Sequence, residues 1–318
     1  MGDGQPNSNG CLIAAIGASA GGLEAFEKFF RHMPPDADVA FVIVQHLAPD
    51  HESVLPRLLA RYTGMPVEQV QDHTEVFPNQ VYVIPPNASL VIKHRVLRLS
   101  VPAEPRGQRT PIDRLFRSLA EDQGENAVCI MLSGTGTDGT LGLRAIKEQG
   151  GMAMAQTLES AKYDAILRSA IATGLVDHVL PAEEMPAKLL EYAAHLKSFN
   201  GKAFSIHKQL AAHLSQIMGL LRRKTGHDFG QYKETTIARR LERRMKVLRI
   251  ETVEQYVDFL EEQPDEIEQL FKDLLVGVTQ FFRDPEAFEA LGQEVIPKLF
   301  AGKRTEDQVR VGVVGCAS

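Results

Sequence analysis

The chain has 318 residues, of which 44% are hydrophobic and 24% are charged, and its formal net charge is −6. These values are typical of a globular protein that is long enough for two domains. The negative charge argues against nucleic-acid binding, and no apolar run approaches the ~20 residues of a membrane-spanning helix. Three scattered cysteines without metal-ligand spacing predict a reduced, cytoplasmic protein that holds no metal and does not insert into a membrane.

A serine in a glycine-flanked turn is the first informative feature along the chain. The apolar segment Leu12–Ile16 predicts a strand, Gly22–His32 predicts a helix, and Ser19 lies between them. Such a turn can expose a nucleophilic hydroxyl, with the N–H groups of the helix start close to a developing oxyanion. The turn Gly17–Gly22 could equally hold a phosphate at the helix N-terminus, so this motif alone leaves both functions open.

Short apolar strands alternate with helices through the first 200 residues. The predicted strands are 12–16, 40–45, 81–84, 126–132 and 151–155, and the predicted later helices are 53–62, 111–123, 141–149 and 183–197. This alternation predicts an α/β fold, a doubly wound and mostly parallel sheet covered on both faces. Segment 81–101 predicts a small hairpin insertion, and Ser198–Lys202 a linker.

The residues after this linker have the periodicity of helices. The predicted helices are 206–225, 235–248, 253–262, 265–275 and 284–300, which indicates an all-α region. One of them carries a basic stripe that is either a solvated face or a docking face for an acidic helix; it comprises Arg239, Arg240, Arg243 and Arg244. Segment 308–314 then predicts the first strand of a truncated α/β domain, at which the chain stops.

Three polar residues follow predicted buried strands. Ser19 follows the first strand, His46 follows strand 40–45, and Asp138 lies in the glycine-rich loop after strand 126–132. The carboxyl ends of parallel strands share one edge of a sheet, and a nucleophilic serine needs a base and an orienting acid. Taken singly, His46 fits a strand-end histidine bonded to backbone, and Asp138 fits the N-cap of the next helix. Together the three residues predict a serine hydrolase.

The segments around these residues also resemble a known family. Ile16–Gly22, Val44–His46 and Leu132–Gly139 are similar to the catalytic domain of CheB, the chemotaxis protein-glutamate methylesterase. The resemblance covers residues 11–197 and implies a domain that hydrolyses methyl esters of glutamate side chains on chemoreceptors. Some members of that family also deamidate glutamine.

The resemblance implies a role for each of the three residues. Ser19 corresponds to the nucleophile, His46 to the general base, and Asp138 to the acid that fixes the imidazole tautomer. The backbone N–H groups of Ala20 and Thr135 are the implied oxyanion and substrate contacts. Such an esterase needs no cofactor.

The second part of the chain is similar to CheR, the chemoreceptor glutamate methyltransferase. Tyr232–Met245 and Gly277–Asp284 carry this resemblance. It implies a helical N-terminal domain at 206–270, whose basic helix faces the receptor, and the truncated start of an S-adenosylmethionine-dependent domain at 271–318. The implied cofactor site is incomplete and includes Thr279, Arg283 and Gly315, so we expect no methyl transfer by this chain.

The sequence therefore predicts a cytoplasmic methylesterase of chemotaxis or related signalling that acts on a methylated receptor or another signalling protein. The alternative is a regulatory or scaffold module with weak catalysis, which binds its partner through the helical domain. Ala20 and Thr135 keep this alternative open, because they differ from the residues common in the family. No receiver domain fits before residue 11, which predicts that phosphorylation does not regulate the chain, and the oligomeric state is left open.

Overall fold

A computed structural model describes residues 11–46, 54–105, 108–200, 203–230, 232–276 and 291–300. The chain divides into a large unit that ends at Leu274 and a second unit that begins at Leu275. In the second unit, the described residues form a π-helical turn at Leu291–Val295 and a short helix at Ile296–Phe300. Within these described ranges, no helix is both long and apolar enough to span a bilayer.

Ten strands form two sheets in the large unit. They are β1 Leu12–Ala18, β2 Val39–Gln45, β3 Val67–Gln69, β4 Thr74–Glu75, β5 Val81–Val83, β6 Ser89–Lys93, β7 Val96–Ser100, β8 Ala127–Met131, β9 Met152–Gln156 and β10 His178–Leu180. Seven of them form a parallel sheet in the order β10-β9-β8-β1-β2-β5-β3. The other three form a small antiparallel sheet, β4-β7-β6. The predicted α/β fold with a hairpin insertion is confirmed.

The described residues up to Leu275 also include ten α-helices. They are α1 Gly22–Arg31, α2 Leu55–Leu59, α3 Pro111–Gln123, α4 Thr140–Glu148, α5 Ala165–Ala172, α6 Met185–Asn200, α7 Ala203–Thr225, α8 Glu234–Leu248, α9 Val253–Glu262 and α10 Pro264–Leu275. We call the part up to α6 the α/β region and the part from α7 to α10 the helical region. The predicted all-α region is confirmed for these helices.

The parallel strands are apolar on both faces because helices cover both. Every residue of β1 is buried, and so is every residue of β8 and β9. On one face, Phe26, Phe29 and Phe30 of α1 pack with residues of β1 and β2. Helix α3 covers the other face, where Ile112 lies against Gly17. The sheet edge that carries the candidate site is therefore held by two packed layers.

Buried charged side chains join the helical region to the α/β region. We call this group the buried charge cluster; it comprises Lys147, Asp177, Arg243, Arg244, Glu266 and Asp273. No member has a side chain more than 6% exposed. Three cations face three anions, so each charge taken out of water has a partner that compensates its desolvation.

The basic stripe of α8 is a correction to the sequence analysis, which predicted a solvated face or a docking face for an acidic helix. Arg240, Arg243 and Arg244 are buried, and only Arg239 of the four is exposed. The Arg240 guanidinium donates to the carbonyl of Lys147 over 2.7 Å, and Arg243 donates to that of Gly151 over 2.8 Å. The stripe is buried because its acceptors lie in the α/β region of the same chain.

The structure differs from the predicted elements at a linker, at three short strands and at one helix. Ser198–Asn200, predicted as linker, continue helix α6, whose preceding turn is anchored by the buried Leu196. Strands β3, β4 and β10 have only two or three residues, which is too short for a periodic signal. Helix α5 was also not predicted. The predicted strand 308–314 lies outside the described residues.

Candidate active site

Ser19 follows directly on β1, in the turn that leads to α1. Its backbone N–H donates to the carbonyl of Ser133 over 3.0 Å, and its own carbonyl accepts from the N–H of Gly22 over 3.0 Å. Gly21 precedes the helix with φ 75°, a left-handed conformation that favours glycine. These bonds fix the backbone on both sides of Ser19, which is 7% exposed.

A glycine from the next loop lies against Ser19. A Cβ atom added to Gly134 would lie 2.9 Å from the Cβ of Ser19 and 3.0 Å from its nitrogen. The N–H of Gly134 donates to the carbonyl of Tyr163, so a third loop holds this approach in place. The absence of a side chain at position 134 is therefore what lets the β8–α4 loop reach Ser19.

His46 follows directly on β2, the strand beside the one that precedes Ser19. Strands β1 and β2 pair in parallel with Ala18 opposite Gln45, and the N–H of His46 donates to the carbonyl of Ala18 over 3.3 Å. The side chain of Gln45 also donates to the carbonyl of Ser19 over 3.3 Å. In the described part of the chain, no hydrogen bond joins Ser19 Oγ to the imidazole, a looseness that is common in unliganded active sites.

Asp138 completes the group from the β8–α4 loop. Its Oδ2 lies 2.8 Å from Nε2 of His46, and its side chain is 6% exposed whereas that of His46 is 33% exposed. The carboxylate also accepts the N–H groups of Ile112 over 3.0 Å and Asp113 over 2.9 Å. Asp138 thus caps the N-terminus of α3, where the helix dipole favours a negative charge.

This capping role refines an alternative from the sequence analysis. Asp138 was open to interpretation as the N-cap of the helix that follows it, but Gly139, with φ 98°, occupies that position of α4. Asp138 caps α3 instead. Beside it, burial raises the pKa of the Asp113 carboxyl, which accepts the N–H of Gly142 over 2.6 Å and so ties α3 to α4.

Ala20 and Thr135 lie on the rim of this site, and both are exposed. They follow directly on Ser19 and Gly134, the two residues in contact across the loops. Among the described residues, no hydrogen bond occupies the backbone N–H of Ala20 or of Thr135. Both donors are thus available to a ligand beside Ser19.

Two buried polar residues that support the site were missed in the sequence. The hydroxyl of Ser133 lies 3.0 Å from the carbonyl of Ala20 and accepts the N–H of Tyr163 over 3.0 Å. Gln156 accepts the N–H of Ser133 and donates to the carbonyl of Ser160. Gln156 ends the otherwise apolar β9, and a polar side chain at a buried strand end is the one signal that could have revealed it.

A cavity of ≈520 Å³ adjoins His46 and Asp138. Its walls come from the segment after β5, the start of α3 and the β8–α4 loop; they include Ile84–Ala88, Gln108–Pro111 and Thr135–Asp138. Ser19 does not line this cavity, although its strand neighbours Gln45 and His46 do. The described residues contain no group of three or more metal-ligating side chains.

The proposed cofactor residues cannot be placed in the same way. Thr279, Arg283 and Gly315 lie outside the described residues. The predicted site of S-adenosylmethionine therefore stays a prediction from the resemblance.

Comparison with known proteins gives the family of this chain. The family model of the CheB methylesterase matches residues 14–189, which is more than half of the chain. The chain belongs to the CheB methylesterase family. A second family model, the all-alpha domain of the CheR methyltransferase, matches residues 212–275. The catalytic domain of the CheB methylesterase of Thermotoga maritima has a similar structure, with a TM-score of 0.53 and 27% identity over 57% of this chain and 98% of that domain.

Similar sequences include two enzymes named protein-glutamate methylesterase/protein-glutamine glutaminase 2. That of Pseudomonas aeruginosa is 33% identical over 59% of this chain, and that of Shewanella sp. (strain MR-4) is 36% identical over 58%. An uncharacterized 104.1 kDa protein of Rhodobacter capsulatus is 35% identical over 82% of this chain. The matches span 55% and 54% of the two enzymes and 30% of the Rhodobacter protein.

Proposed function

We propose that the chain hydrolyses the methyl esters of glutamate side chains on a signalling protein, with Ser19 as nucleophile, His46 as general base and Asp138 as the orienting acid. The observation that carries the proposal is the hydrogen bond of 2.8 Å between His46 and Asp138. His46 and Ser19 each follow directly on one of two paired strands, β2 and β1. Family membership supports the same reaction class.

The contact with Asp138 selects the tautomer of His46. A carboxylate only accepts hydrogen bonds, so Nε2 of His46 carries a proton and donates it in a hydrogen bond to Asp138. The other ring nitrogen, Nδ1, then has the lone pair that accepts the proton of the serine hydroxyl. The two backbone N–H bonds to Asp138 keep its carboxylate, and with it the imidazole, in one orientation.

Acylation follows from these positions. Ser19 Oγ attacks the ester carbonyl as its proton passes to His46, and the backbone N–H groups of Ala20 and Thr135 stabilise the negative charge that develops on the carbonyl oxygen. The tetrahedral intermediate collapses when the imidazolium protonates the methoxide, which leaves as methanol. The glutamyl group is then bound to Ser19 as an ester.

Deacylation repeats the chemistry with water. His46 takes a proton from a water molecule that attacks the acyl group, and Ser19 leaves with that proton. The products are a glutamate carboxylate and the free enzyme. The same residues would release ammonia from glutamine, because only the leaving group differs. The proposed chemistry uses no metal and no cofactor.

We further propose that the partner is a methylated receptor or another cytoplasmic signalling protein. The alternative is a regulatory or scaffold module with weak catalysis that binds its partner through the helical domain. It loses the support of the basic stripe, because three of the four stripe arginines are buried. Esterase activity that depends on Ser19 would discriminate between the two.

The test is the hydrolysis of a peptide that contains one glutamate γ-methyl ester, and the measured quantity is the methanol released. Ser19→Ala should reduce turnover by about 10⁴- to 10⁶-fold and leave the melting temperature nearly unchanged, because it removes the nucleophile but no core side chain. Ser100→Ala, an exposed serine of β7, is the matched control and should retain full activity. A folded Ser19→Ala protein that keeps most of its activity would contradict the mechanism.

A further inference from the structure

The cavity beside the candidate site has an apolar wall and a single permanent cation. Ile84, Pro85, Pro86 and Pro111 contribute the apolar surface. Among the described residues that line it, Arg109 is the only lysine or arginine. An open groove with such an apolar wall accommodates a polypeptide segment, and a positive charge in it would select among such segments.

The guanidinium of Arg109 is held in place by neutral groups. Its Nε donates to the backbone carbonyl of Glu104 over 2.9 Å, and one Nη donates to the side-chain oxygen of Asn87 over 2.7 Å. These bonds use two of the five N–H donors of an arginine and leave three. Within the part of the chain that the structure describes, no carboxylate forms an ion pair with Arg109.

The carboxylate of Asp138 already has hydrogen-bond partners of its own. Asp138 lines the same cavity, but its oxygens accept from His46 and from two backbone N–H groups at the start of α3. Arg109 lies two residues before Pro111, the first residue of that helix, so its backbone is connected to a fixed element. The guanidinium of Arg109 is thus oriented in the cavity that His46 also lines, and no carboxylate of the described residues compensates its charge.

We propose that Arg109 is a specificity-determining residue, which binds an acidic side chain of the polypeptide that carries the ester. The scissile ester is uncharged and cannot form an ion pair with Arg109, so the charged ligand that we assign to it is a carboxylate of a neighbouring residue. A planar guanidinium with free donors binds carboxylates in a defined geometry. The inference rests on the proposed function, since it requires a methyl-ester substrate on a polypeptide.

The test uses two peptides that differ only in the residues beside the glutamate methyl ester, with glutamate in one and glutamine in the other. The wild-type chain should hydrolyse the acidic peptide with a kcat/KM about five- to tenfold higher, chiefly through a lower KM. Arg109→Gln should abolish this preference by lowering kcat/KM for the acidic peptide to about the value that the same variant shows for the neutral peptide. Arg109→Lys should keep part of it, and high salt should weaken it.

Arg98→Gln is the matched control, because it removes one exposed positive charge from β7 outside the cavity. This variant should keep the preference of the wild type. An Arg109→Gln protein that keeps the preference, or a wild type without one, would overturn the inference. Failure of the wild type to hydrolyse either peptide or a capped glutamate methyl ester would instead overturn the proposed function.

Discussion

The guanidinium of Arg243 donates to the carboxylate of Asp177 over 2.6 Å, and the two side chains are 1% and 0% exposed. Arg243 belongs to the helical region, whereas Asp177 directly precedes β10 of the parallel sheet. Asp177 also accepts Lys147 over 2.7 Å and Arg244 over 3.2 Å. Burial alone would raise the pKa of Asp177, but the charges of Arg243 and Lys147 hold it well below its ordinary value.

Loss of Arg243 should therefore be costly. Arg243→Met fills similar space but removes one of the two cations that pair with both Asp177 and Asp273, and Lys147 alone then faces both buried carboxylates. We therefore expect the free energy of unfolding to fall by about 3–5 kcal/mol. Arg239→Met, one turn away on the exposed side of α8, should change it by less than about 0.5 kcal/mol. Urea denaturation of both variants measures the difference. Equal stabilities would contradict the structural role of the cluster.

Asp138→Asn tests whether Asp138 orients the His46 imidazole without contributing to substrate binding. The amide can present only one acceptor, so it cannot serve both the backbone N–H groups of α3 and the Nε2–H of His46. We expect turnover to fall by roughly 10⁴-fold, as in the serine protease in which the same change was made, with little change in KM. Asp72→Asn, at an exposed aspartate, should have no effect on turnover. If Asp138→Asn is fully active while His46→Ala is inactive, another carboxylate orients the histidine.

Gly134→Ala tests the contact between the two loops. The new methyl group would lie 2.9 Å from the Cβ of Ser19, so the nucleophile or its loop must shift. Since small misplacements of reacting groups are costly, we expect turnover to fall by about 10²-fold. Gly219→Ala, in the middle of α7, should leave turnover unchanged and raise stability by about 0.5–1 kcal/mol. Full activity of Gly134→Ala would show that the site tolerates this shift.

His178 gives a prediction for the pH dependence of stability. Burial lowers its pKa to about 4, and its buried Nε2 has no hydrogen-bond partner among the described residues. The unfolded chain, with an ordinary pKa near 6.5, then binds the proton more readily than the folded chain between about pH 6.5 and 4. The stability that the folded chain gains by keeping His178 neutral is complete above about pH 6.5 and is lost as the pH falls toward 4. His178→Leu should therefore gain stability relative to the wild type as the pH is lowered from 7 to 4.5.

Thermal unfolding of both proteins at several pH values measures this difference. A stability difference between His178→Leu and the wild type that does not change with pH would show that the histidine titrates normally in the folded chain.

The parts of the fold that follow from local patterns were predictable. Apolar strands with helices between them gave the parallel sheet, and the shared edge of such strands led to the juxtaposition of Ser19, His46 and Asp138. Their catalytic roles, and those of Ala20 and Thr135, stay predictions. Ser133 and Gln156 were missed because their value depends on backbone groups that only the folded chain brings within reach.

The arginine stripe shows the opposite error. Helical spacing correctly placed the side chains of Arg240, Arg243 and Arg244 on one face, but spacing within a helix says nothing about what that face contacts. Two of the acceptors of Arg243, Gly151 and Asp177, lie 92 and 66 residues earlier in the chain. An arginine pattern that is typical of an exposed helix face thus forms a buried contact. The sequence did not reveal it because the hydrogen-bond acceptors are remote in sequence.

The helical region contacts residues that precede β8, β9 and β10, whereas Ser19 and His46 follow β1 and β2. The length of the strands, about 20 Å, therefore separates these contacts from Ser19 and His46. A substitution in the ion pairs between the two regions thus acts at the opposite ends of the strands from Ser19 and His46, so its effect on stability can be measured separately from any effect at the candidate site.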